Sequence, residues 1–125
     1  MAKKVTNGSV VECYLKCHGW SSNNHPFKHY SAVYISGPMS DLPDHNRPAF
    51  WMAEMAINSL GVGTLSPAHW PANLPYEYYM RQDFRLLLEA DVIFVLTGWK
   101  LSRGAKIEME MASAMGLPII MEGKI

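Results

Sequence analysis

A chain of 125 residues and 14.1 kDa is one domain's worth of polypeptide, long enough for a single sizeable core. Its 11 basic and 11 acidic residues cancel, so no net charge draws it to nucleic acid or an anionic membrane. No apolar run reaches spanning length, and "MAKKVTNGSV" lacks a signal peptide's apolar segment; the expectation is a cytoplasmic protein with Cys13 and Cys17 as reduced thiols.

Composition divides the chain near residue 31. Residues 1–30 read as a polar, irregular extension in which only "VVECYL", Val10 to Leu15, suggests a short strand, followed by a loop-like "GWSSNNHP". Cys13, Cys17, His18, His25 and His29 are zinc-type ligands, but their spacing matches no standard knuckle. Unpaired polar residues of an extension are the reading preferred here, and no metal is called for.

From residue 31 to 125 strands and helices alternate. "SAVYISG" is an apolar strand, and "RPAFWMAEMAINSLG" is a helix with Pro48 in its first turn and Gly61 at its end. "VGTLSP" is a second strand, "YEYYMRQDFRLLLEA" a second helix, "DVIFVLTG" a third strand, "LSRGAKIEMEMASAMG" a third helix and "LPIIM" a last strand. Short apolar strands separated by helices imply a three-layer α/β domain: a flavodoxin-like or Rossmann-like parallel sheet of about four to five strands with helices on both faces. Ligands of such folds sit at the carboxyl ends of the strands, which gathers "SGPMSD", "SPAHWP" and "TGWKLSRG" around one crevice. The common nucleotide fingerprints are missing: "GVGTLSP" precedes a strand and lacks a third glycine, and there is no Walker loop, HExxH or GxSxG.

Two carboxylates fall where helices should be apolar. In the third helix Ser102 is the expected N-cap and Gly116 the stop; Ile107, Met111, Ala114 and Met115 form an apolar stripe, and Glu108 lies within that arc. In the second helix Tyr76, Tyr79, Met80, Phe84, Leu87 and Ala90 share a face, and Asp83 falls among them. Either alone reads as an edge residue with a basic partner, or for Glu108 as a partner of the helix dipole. Two beside the same strand point to a shared site, since paired carboxylates cleave glycosidic bonds. Gly104, one turn before Glu108, leaves room for a sugar ring, and the free N–H groups beside Ser102 form an anion seat. Asp91 belongs to a helix-to-strand turn and is given no chemistry.

"VYISGPM", "RQDF…EADVIFV" and "SRGAKIEMEMA" together resemble the nucleoside 2-deoxyribosyltransferase superfamily, in particular a short phage-associated branch, over nearly all of residues 32–121. Ser102, Gly104, Glu108 and Ala112 meet its S-x-G-x-x-x-E-x-x-x-A pattern. The resemblance implies cleavage of the N-glycosidic bond of a nucleoside or nucleotide without a cofactor. Glu108 matches the nucleophile that forms a glycosyl-enzyme, Asp83 the acid that helps the base leave, and Tyr34 the tyrosine that positions the nucleophile. Gly37 and Pro38 match the turn lining the sugar site.

Where free-nucleoside transferases usually carry aspartate this chain has Ser102, which resembles the branch hydrolysing nucleoside 5′-monophosphates. The chain ends at Ile125, without the longer C-terminal part through which those transferases contact a second subunit. Trp99 or Trp70 is placed to stack on the base, and Asn46 and Arg47 to approach a phosphate or begin a helix; His45 and His69 read as surface residues. A nucleotide or nucleoside substrate and a homodimer or higher homo-oligomer are expected, with no direct contact to nucleic acid or membrane. The competing readings are deoxyribosyl transfer between free nucleosides, a non-catalytic nucleotide sensor, and an NAD glycohydrolase.

Overall fold

The structure is a computed structural model that describes residues 7–71 and 73–123. The expected extension, residues 1–30, therefore lies partly outside the described residues, at 1–6. Four strands, β1 (Ala32–Ser36), β2 (Gly63–Leu65), β3 (Val92–Val95) and β4 (Ile119–Met121), form one sheet in the order β2-β1-β3-β4, and every pairing is parallel. The helices are α1 (Asn7–His18), α2 (Arg47–Ser59), α3 (Tyr76–Glu89) and α4 (Arg103–Ala114). The chain winds outward from β1 in both directions, so the β1/β3 boundary is where the strand order reverses and a crevice opens at the carboxyl ends.

Side chains of the central strands sort by the two-residue period of a strand. Val33, Ile35, Val92 and Phe94 join Phe27, Phe50, Ala53 and Ile57 on one side, under α1 and α2. Tyr34, Ile93 and Val95 face the other way and meet Leu87 of α3 and Ala112 of α4. This is the expected three-layer α/β architecture. Among the described residues no helix is long and apolar enough to cross a membrane.

Asp91, just before β3, accepts the backbone N–H groups of Ser31 (2.8 Å) and Ala32 (3.0 Å), and its own N–H donates to the Ala32 carbonyl (3.0 Å). It fastens the start of β1 to the start of β3.

Two expectations are corrected. "VVECYL" is not a strand but the middle of α1. Val10, Val11, Tyr14, Leu15 and His18 are the partly covered positions, at helical spacing, and burial on that face outweighs the strand preference of paired valines. On α4 the stripe Ile107, Met111, Ala114 and Met115 is not the packed face: Met111 and Met115 are 37% and 38% exposed, while Ala105, Glu108 and Ala112 are buried. The alanines at 105 and 112 let α4 approach the sheet closely, which turns the helix away from its methionines.

Candidate active site

The site begins with how α4 starts. Ser102 is extended and its Oγ accepts the Ala105 N–H at 3.1 Å, the N-cap expected of it. The other N–H groups of that turn, those of Arg103 and Gly104, have no partner among the described residues. Two turns along, Glu108 is 4% exposed and sits above β1 between Ala105 and Ala112. The Tyr34 hydroxyl donates to its Oε2 (2.9 Å) and the Ser36 hydroxyl to its Oε1 (2.6 Å). Tyr34 and Ser36 are two residues apart on one strand and so share a face.

Asp83 is the buried carboxylate of α3, 7% exposed between Met80 and Leu87. The Trp70 indole N–H donates to its Oδ1 at 2.9 Å, and its carboxyl group lies within hydrogen-bonding reach of Glu108.

Burial first, and the neighbouring Asp83 second, push Glu108 well above the usual carboxylate range; the hydroxyls of Ser36 and Tyr34 pull it down but are outweighed. Burial likewise raises Asp83 against its hydrogen bonds from Glu108 and Trp70. Tyr34, fully buried and facing both acids, is held well above the ordinary phenol range and remains a donor. Two carboxyl groups this close in a dry setting do not both ionise, so the pair holds one proton and one negative charge.

These groups form the floor of a pocket of about 640 Å³. Gly37, Pro38, Asn46, Asp83, Ser102, Gly104 and Glu108 line it, while Tyr34 lies beneath. A Cβ on Gly37 would stand 2.8 Å from the Leu96 Cβ, so the turn after β1 admits no side chain there. One at Gly104 would meet Met80 Sδ at 3.5 Å, an ordinary contact; glycine at 104 keeps the pocket wide and is not forced by the backbone.

The rim is conformationally costly. Asp41, Asp44, His45 and Asn46 all have positive φ, between 50° and 63°, in the region L-residues seldom adopt. Asn46 Nδ2 donates to the Pro38 carbonyl (2.8 Å), which commits its amide to the rim. Arg47 ties α2 to the loop before α3 by donating to the carbonyls of Ala68 (3.3 Å) and Trp70 (3.1 Å). Arg103 rests over the Tyr76 ring, 5.3 Å from its centroid. His45 lines the pocket, whereas His69 is exposed and bonded to Glu54 at 2.7 Å.

Trp99 is not part of this pocket. It packs with Leu87, Ile93 and Val95 below α4, under the Lys100 ammonium at 5.8 Å, and Trp70 is the tryptophan that reaches the carboxylates. The turn after β3 directs Trp99 toward the β4 side, whereas the loop before α3 folds Trp70 back over that helix. Ser36 is the contact that sequence reading missed. Its signal was present in "AVYIS", where strand alternation puts Ser36 on the face of Tyr34. The zinc-type residues of the extension do not converge: Cys13 and Cys17 are exposed thiols, and His18 and His25 are bonded to protein groups. Among the described residues no three His, Cys, Asp or Glu side chains are arranged to hold a metal ion.

No curated protein matches the chain. Residues 31–121, from just before β1 through β4, match the family described as a domain of unknown function, DUF4406. The span includes both buried carboxylates, both hydroxyls that grip Glu108 and the Ser102 cap, and leaves out α1; on that match the chain belongs to the DUF4406 family.

Proposed function

We propose that the protein cleaves the N-glycosidic bond of a nucleoside 5′-monophosphate, releasing the base, as the resemblance to nucleoside 2-deoxyribosyltransferases implies. One observation carries the reading: a desolvated glutamate held on both oxygens by Tyr34 and Ser36, touching a second buried acid on the floor of a pocket. In the resting pair Glu108 is the donor and Asp83 the acceptor, so the cycle starts with transfer of that proton to Asp83. Ionised Glu108 then attacks C1′ as the C1′–N bond breaks through an oxocarbenium-like transition state, and Asp83 delivers the proton to the departing base. Water then displaces Glu108 from C1′ with Asp83 as base, which returns the proton and gives the sugar phosphate with retained configuration.

The Arg103 and Gly104 N–H groups at the positive end of α4 supply the phosphate seat, with the Arg47 and Arg103 side chains at the rim. No cofactor takes part. A homo-oligomer belongs to the same reading, with Met111 and Met115 of α4 as the apolar surface available for it. The test is incubation of the protein with nucleosides, nucleoside 5′-monophosphates and NAD, followed by chromatography for free base or nicotinamide. Base from monophosphates alone is the expected result. Base from free nucleosides would favour transfer between nucleosides, nicotinamide would favour an NAD glycohydrolase, and binding without release would favour a sensor.

A further inference from the structure

α1 and the residue after β4 are joined by a network that the proposed chemistry does not use. Glu122 donates its N–H to the Val95 carbonyl at 2.8 Å, extending the pairing of β3 with β4. Its Oε2 accepts the Tyr14 hydroxyl at 2.5 Å, and its Oε1 accepts the Thr97 backbone N–H at 2.9 Å. His18 lies between carbonyls, with Nδ1 2.8 Å from the Tyr14 oxygen and Nε2 3.2 Å from the Glu122 oxygen. The ring column continues inward: His18 stacks on Tyr14 at 4.3 Å and on Trp20 at 4.5 Å, and Trp20 meets Phe27 and Phe94 edge-on. The helix is thus anchored in the core at one end of the column and grips Glu122 at the other.

Thr97 is where this grip reaches the pocket. It lines the cavity and opens the segment that leads through Gly98 to the Ser102 cap. Among the described residues that segment has no strand partner of its own, and the bond from Thr97 to Glu122 ties its first residue to the end of β4. Gly123 supports the same contact, because a Cβ there would stand 2.8 Å from Thr97 Oγ1.

We propose that α1 is a positioning element of the pocket: through Tyr14 and His18 it holds Glu122, and Glu122 holds Thr97 and thereby the loop that presents Ser102 and Arg103. Both α1 and Glu122 lie outside residues 31–121, the span matched by the family. Its kinetic consequence rests on the proposed function; its structural consequence does not.

The experiment compares wild type with Tyr14→Phe, Glu122→Ala, Glu122→Gln and Leu60→Ala, the last removing a side chain packed on the α1/α2 core away from the pocket. Amide hydrogen exchange is followed across residues 97–102 and across α2. Tyr14→Phe and Glu122→Ala accelerate exchange in 97–102 by about tenfold, as expected for one lost hydrogen bond, and leave α2 unchanged. Glu122→Gln, whose amide oxygen still accepts from Thr97, restores most of the protection. In base-release assays the first two variants raise KM for the monophosphate by about five- to tenfold with kcat within about twofold, whereas Leu60→Ala lowers Tm and moves neither KM nor the 97–102 exchange. Unchanged 97–102 exchange in Glu122→Ala, or a uniform rise like that of Leu60→Ala, overturns the proposal. A wild type that releases no base defeats the proposed function instead, and the exchange measurements still decide the clamp.

Discussion

The two faces of the sheet are made by the same strands and do opposite things. Toward α1 and α2, β1 and β3 present Val33, Ile35, Val92 and Phe94 to a sealed apolar core containing Phe27 and Phe50, all fully buried. Toward α3 and α4, the same β1 presents Tyr34 and Ser36, both equally buried, to a pair of acids. Burial is as complete on one side as on the other, but on the first it stabilises the fold and on the second it raises the free energy of two carboxyl groups. Natural proteins keep such buried acids where they serve chemistry.

The sharpest way to break that contrast is to remove the charge and keep the shape. Glu108→Gln is expected to reduce base release at least on the order of a thousandfold while Tm is kept or raised; undiminished turnover by a verified variant would end the glutamate-nucleophile reading. On the opposite face, Phe94→Ala is expected to cost about 3–5 kcal/mol in denaturant unfolding. Glu108→Met combined with Tyr34→Phe and Ser36→Ala, which removes the acid together with the two buried hydroxyls it accepts from, is expected to cost no stability. A large loss there would make Glu108 a structural ion and erase the contrast.

Next in size is Ser102→Asp. Aspartate caps a helix as well as serine does, so the fold persists, but a carboxylate beside the α4 terminus repels a phosphate dianion by about a hundredfold in binding. The ratio of monophosphate to nucleoside cleavage checks this, with Arg103→Ala as companion because its guanidinium, held over Tyr76 beside the same helix end, would neutralise either anion. An unchanged ratio would move the phosphate elsewhere in the pocket.

The smallest effect is on the pH dependence of stability. Because the fold raises Glu108 and Asp83, the native state binds more protons than the unfolded chain above the usual carboxylate range. This pair's contribution to stability is therefore fully present below that range and is lost as pH rises through the raised values. Melting temperature measured against pH should fall by a few degrees more steeply over that window in wild type than in Glu108→Gln. Parallel curves would mean that the pair is not desolvated.

Much of this arrangement was readable from the residues. Caps and breakers marked α2 and α4 because Pro48, Ser102, Gly61 and Gly116 act locally, and local chemistry is visible in one dimension. Asp83 and Glu108 stood out because each interrupts a helical apolar pattern. Other features depended on what lies opposite. A wheel shows which α4 residues share a face but not whether anything covers them, so the methionines looked buried and are open. Trp70 and Trp99 both follow strands, and only the path of each loop decides which indole reaches Asp83. The helix at the N-terminus was hidden for a related reason, since its packed face is completed by Trp20 and Phe27 from the turn that follows it.

The carboxylate of Asp91 has a consequence out of proportion to its place in the turn that enters β3. Strand side chains alternate, so the identity of each face depends on parity: sliding β1 by one residue against β3 would turn Val33 and Ile35 toward the acids and drive Tyr34 and Ser36 into the apolar core. Hydrophobic burial opposes such a slip along the whole strand, but Asp91 decides it at one point by accepting two consecutive N–H groups, Ser31 and Ala32. It never approaches the pocket, yet it acts as the register pin on which the pocket's polarity depends.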